Sequence, residues 1–105
     1  MENSRFLIKF DQALKKINRE QINPILPPLN MEQLDPVIGL VARARAAYLK
    51  DLFALANAVT EGLPARDQTE SLRQHRKIYE ELVAGVKALE TAMERGYLEV
   101  QDGDE

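Results

Sequence analysis

Apolar residues recur along this chain in three runs, each with the three-and-four spacing that lines one face of a helix. In the first run Phe6, Phe10, Ala13, Leu14 and Ile17 follow one another at that spacing, with charges on the other side. Asn3 or Ser4 can cap its start. Pro24, Pro27 and Pro28 in "NPILPPLN" lack amide donors and push their predecessors out of the helical region, so the pattern predicts a helix over about residues 4–22.

The second run has two possible starts. Asn30 with Gln33 forms one capping pair, and Asp35 before Pro36 offers another. The favoured reading is a short turn at 31–34 and a helix over 36–61, closed by Gly62 and Pro64. Asp67 and Glu70 then open a third helix over 68–95, with Gly96 as its end cap. The second and third helices are long enough to run antiparallel along their length. The acidic segment 99–105 is expected to be a flexible tail on a single helical domain over 1–98.

Leu72, His75, Tyr79, Leu82, Val86, Leu89 and Met93 alternate strictly by three and four along the third helix. A period of 3.5 implies a left-handed supercoil with neighbouring helices crossing at about 20°. On the second helix, Val37, Val41, Ala44, Tyr48, Leu52, Leu55 and Val59 form the corresponding face. Yet Ile38, Leu40, Leu49, Phe53 and several alanines lie outside it. A helix that is apolar nearly all round is buried on most sides, and a lone three-helix bundle would leave a strip of this one in water. The expected architecture is therefore an all-α, three-helix up-down-up bundle with long antiparallel second and third helices, which associates with a copy of itself.

Composition narrows the chemistry. A chain of 105 residues, 45% hydrophobic and 30% charged, can bury one core. The absence of cysteine excludes disulfides, thiolate metal sites and cysteine nucleophiles. No apolar run approaches the roughly 20 residues of a membrane span, and "MENSRFLIKF" lacks the hydrophobic stretch of a secretory leader, so a cytoplasmic location is expected.

His75 is the chain's one histidine, and it stands where an apolar seam residue belongs. Without a second histidine or an E-x-x-H pair it makes no metal site, and the sequence nominates no carboxylate or nucleophile beside it. Glu80 with Glu81, and Glu90 with Glu94, would need several further acids to hold magnesium, while the second helix contributes only Asp51 near its middle. No phosphate loop, hydrolase elbow or haem motif is present. The expectation is thus no catalytic residue, no cofactor and no metal.

A net charge of −3 disfavours nucleic acid, and the basic clusters Lys15–Lys16–Arg19 and Arg66–Arg73–Arg76–Lys77 fall at opposite ends of an up-down-up bundle. What remains is a non-enzymatic protein-protein interaction module, an adaptor or assembly subunit, acting as a homodimer or on an unidentified protein partner. Its expected interface is Leu40, Arg43, Arg45, Tyr48, Leu49, Phe53, His75 and Tyr79. Two alternatives stand beside it. One is peripheral binding of an anionic membrane or nucleic acid through the first helix, where Arg5, Lys9, Lys15, Lys16 and Arg19 accompany two phenylalanines. The other is an enzyme whose site forms at a dimer interface around His75.

Overall fold

The computed structural model describes residues 2–101. Three helices, α1 (Glu2–Ile22), α2 (Met31–Ala58) and α3 (Arg66–Glu94), account for most of them. No strand forms among the described residues; a single parallel bridge joins Leu29 to Val100. Cα packing divides the chain into two compact units, one of residues 1–34 with 88–105 and one of Asp35–Lys87.

α1 ends at Ile22, where the proline-bearing linker begins. α2 starts five residues earlier than the favoured start at Pro36, and the reason is local. Asn30 Oδ1 accepts from the Gln33 amide at 3.2 Å, while Gln33 Oε1 accepts from the Asn30 amide at 2.9 Å. This reciprocal box satisfies two amides that the helix start would leave unpaired. Pro36 consequently lies inside the helix, where its missing N–H forgoes only the bond to the Glu32 carbonyl. Replacing Asn30 by Ala is expected to cost about 1 kcal/mol, read as a lowered urea midpoint.

The other end of α2 comes at Ala58 rather than Glu61. The Val59 amide still donates to Leu55 O at 3.0 Å, but the β-branched pair Val59–Thr60 favours leaving the helix. Gly62, with φ 72°, then turns the chain. α3 begins at Arg66, two residues before Gln68. Its box is one-sided: Gln68 Oε1 accepts from the Ala65 amide at 2.7 Å. Glu70, expected to cap, instead accepts from Gln74 Nε2 at 2.8 Å.

Among the described residues the buried ones are Leu29, Ala92 and Leu98, all in the unit that contains α1. Ile22, Leu34, Leu89, Met93 and Tyr97 pack against them. Pro27 and Pro28 keep the linker extended as it enters this cluster, and Leu29 is the first residue after them with a free amide. That amide donates to Glu99 O at 2.9 Å, and the Gln101 amide donates to Leu29 O at 2.6 Å. Residues 99 and 101, which open the expected tail, are thus tied down by backbone bonds. Asp102, Asp104 and Glu105 lie outside the described residues. Gly96 takes φ 74°, and a Cβ there would meet Lys15 Cε at 3.1 Å, so the close passage of α1 reinforces the need for glycine. Arg19 donates to Gly96 O at 2.7 Å, and Arg95 pairs with Asp11 at 3.7 Å.

Of the residues singled out by the apolar spacing, α1 engages this unit through Leu14 alone, and the rest of its docked face lies elsewhere on the helix. Its half-buried residues are Leu14, Asn18, Arg19 and Ile22, whereas residues 3–13 are exposed throughout. Phe6, Phe10 and Ile17 are 66%, 52% and 55% exposed. At about 100° per residue, the Leu14–Asn18–Ile22 face lies roughly a quarter-turn or more from the phenylalanine stripe.

Candidate interaction surface

Within Asp35–Lys87, α2 and α3 form an antiparallel hairpin: Arg45, early in α2, meets Tyr79, while the later Asp51 meets the earlier His75. The two contacts are one turn or two apart on each helix, as knobs along a shared seam should be. Arg45 Nε donates to Tyr79 Oη at 3.2 Å, and its guanidinium carbon is 5.3 Å from the Tyr79 ring centroid. Tyr48 stacks beside it with centroids 5.9 Å apart and planes tilted by 36°.

His75 Nδ1 lies 3.2 Å from Asp51 Oδ2 and 3.0 Å from Ser71 O. A carboxylate and a carbonyl can only accept, so Nδ1 carries the proton, and in the neutral ring Nε2 keeps its lone pair. The expectation that no carboxylate stands beside His75 is therefore corrected. Asp51 also displaces Leu52 from the seam: the aspartate side chain is 24% exposed, while Leu52 is 44% exposed. Val41, Ala44, Tyr48, Asp51 and Leu55 keep the three-and-four alternation, so the spacing held the signal. One polar residue in each of two facing seams should have been paired. Asp51→Ala is expected to cost about 1 kcal/mol, a charged hydrogen bond discounted for its partial exposure. The parent should give 15N shifts of an Nδ1-protonated ring, and the variant, which keeps only the Ser71 carbonyl as acceptor, should show that preference weakened.

An oriented imidazole with a free Nε2 can act as a base, but chemistry needs a substrate position as well. A depression of about 250 Å³ between the helices is lined by Tyr48, Thr69, Leu72, Arg73 and Arg76, and another of about 430 Å³ by Lys16, Arg19, Glu20, Asn23 and Pro24. Neither is lined by His75 or Asp51. Among the described residues no three His, Asp or Glu side chains gather to hold a metal.

The eight expected interface residues separate into three groups. Tyr48, His75 and Tyr79 are half-buried in the hairpin seam, with Arg45 laid over Tyr79. Leu49 and Phe53 are 44% and 67% exposed on a second stripe of α2. Leu40, 44% exposed, and Arg43 come round on the opposite flank. The second stripe consists of Ile38, Ala42, Leu49, Phe53 and Ala56, with Leu52 along its edge, and all six are exposed. Its spacing of four, seven, four and three is a second heptad seam, parallel to the one facing α3. No residue of Asp35–Lys87 is buried.

Among the described residues no helix is long and apolar enough to cross a membrane. Comparison with protein-family models, with curated proteins and with solved structures finds no match.

Proposed function

We propose that this chain is a non-enzymatic helical interaction module that assembles with a second copy of itself through the second stripe of α2. The observation that carries this reading is the absence of any buried residue in a two-helix unit whose outer α2 face still presents Ile38, Leu49, Leu52 and Phe53 to water. An exposed apolar seam of this length marks an interaction surface, because each such side chain gains about 1.5–3 kcal/mol when fully buried.

The stripe also has the symmetry that a two-fold interface requires. Ile38, Ala42, Leu49 and Phe53 read nearly the same in both directions about Arg45 and Ala46. Antiparallel pairing of two copies sets Ile38 against Phe53 and the small Ala42 against Leu49, with Ala46 allowing close approach at the crossing. The product would be a four-helix arrangement in which each α2 is covered on two sides. The solution mass by light scattering tests the reading. Twice 11.9 kDa is expected at micromolar concentration, and a single-copy mass with the hairpin intact would overturn it.

A further inference from the structure

We infer that α1 is a membrane-surface helix whose Phe6–Phe10–Ala13–Ile17 stripe, edged by Arg5, Lys9 and Lys16, lies in the headgroup region of an anionic bilayer. The inference is independent of α2 self-association, since it uses another helix and another face.

Three observations bring it about. First, α1 joins its own unit through Leu14, Asn18, Arg19 and Ile22, which leaves the aromatic stripe more than half exposed. Second, the stripe runs 6, 10, 13, 17, and on a helical wheel Arg5, Lys9 and Lys16 fall along one edge of it together with Glu20, which pairs with Lys16 at 2.8 Å and leaves Arg5 and Lys9 as the edge's excess positive charge. α1 carries five basic residues against three acidic ones, in a chain whose net charge is −3. Charge acts over about 8–10 Å at physiological salt, so a surface facing α1 meets the local positive excess. Third, no helix among the described residues can span a bilayer, so contact would be made lying flat.

The charge pattern selects the occupant. In an antiparallel self-pair of this stripe, Lys9 would face Lys16 of the second copy. In a parallel self-pair the basic edge would meet Leu7 and Leu14. The same antiparallel register would set Arg5 against Glu20 only by taking that carboxylate from Lys16, so neither self-pair supplies negative charge that the edge does not already hold. Nucleic acid would supply it, yet would leave Ile17 and the apolar stripe unburied, because sequence-independent contacts go to phosphates. An anionic leaflet offers charge at the surface and hydrocarbon just beneath it.

The chain has no tryptophan, so Phe10→Trp introduces a single reporter. The test mixes the full chain with vesicles of phosphatidylcholine, or of phosphatidylcholine with about 30% phosphatidylserine. Expected are a blue shift with anionic vesicles alone and co-sedimentation that weakens from about 0.05 to 0.5 M salt. Phe6→Ser with Phe10→Ser should weaken partitioning at least about thirty-fold, and Arg5→Gln with Lys9→Gln about five-fold per residue. Any of three results would overturn the inference: an unshifted reporter at low salt, equal partitioning of parent and both variants, or duplex DNA bound where anionic vesicles are not. A Phe6→Ser/Phe10→Ser chain that falls from dimer to monomer would overturn it too, by showing the stripe occupied by a second copy.

Discussion

Replacing Leu49 and Phe53 together by lysine is expected to convert the proposed dimer to a monomer of 11.9 kDa, with the α2·α3 hairpin still helical. Both residues lie outside the hairpin seam, at 44% and 67% exposure, so the unit loses little of its own packing. A two-fold interface contains each of them twice. Burying the exposed part of one such side chain gains about 1 kcal/mol, so four losses amount to about 4 kcal/mol, or about a thousand-fold in Kd. The check is sedimentation across a concentration series, alongside helical content by circular dichroism. Leu63→Lys is the control: Leu63 is 91% exposed in the α2–α3 connection, and its replacement should leave the mass unchanged. The antiparallel arrangement also carries a salt signature. Arg43 and Lys50 share a flank of α2 and would approach their counterparts across the two-fold axis, so added salt should tighten the dimer. Vesicle binding through α1 should respond in the opposite sense. A dimer that survives the double substitution would remove the stripe from the interface.

The sequence revealed the period of each helix more completely than its orientation. The α3 seam of Leu72, His75, Tyr79, Leu82 and Val86 is the half-buried seam of the structure, because a period of 3.5 leaves a single face for a neighbouring helix. On α2 the same reasoning selected Leu52 over Asp51. Counting only apolar residues misses a seam position where two polar side chains satisfy each other across the helices, as Asp51 and His75 do. α1 shows the other limit. Phe6, Phe10, Ala13, Leu14 and Ile17 make the obvious core face, yet Leu14 alone of them is half-buried, because the part of the helix that docks is set by what it meets. Lys15 and Arg19 lie against Gly96, and Leu14 and Ile22 follow on the same side. Amphipathic spacing identifies a face that wants cover without naming the cover. The start of α2 turned on a choice between two local signals. The Asn30–Gln33 box won because it satisfies two amides at once, whereas Pro36 avoids only one unpaired amide. The pairing of Leu29 with Val100 joins segments about seventy residues apart, and nothing in the spacing of either segment announces it.

That distant pairing makes Leu98 the side chain on which its unit depends most. It is 4% exposed, the least of the three buried residues, and it precedes Glu99, whose carbonyl accepts from the Leu29 amide. Leu98→Ala would open a cavity in the cluster it forms with Leu29 and Ala92, against which Ile22, Leu34, Leu89, Met93 and Tyr97 pack. The expected cost is about 2–4 kcal/mol. In a chain of this length that lowers Tm by roughly 8–20 °C, with ΔΔG read from urea titration. Leu63→Ala, with no packing to lose, should stay within about 0.5 kcal/mol of the parent. The loss should also be local. Lys15 and Arg19 are held against Gly96, two residues before Leu98, so trypsin should cut after them faster in the variant. Unchanged cleavage with a lowered Tm would place the damage elsewhere and deny that Leu98 anchors α1. Because the α1 attachment uses Leu14, Asn18 and Ile22 while the phenylalanine stripe stays free, Leu98→Ala should weaken docking within the chain without abolishing vesicle binding. The same helix would then serve two surfaces through two faces, each separately mutable.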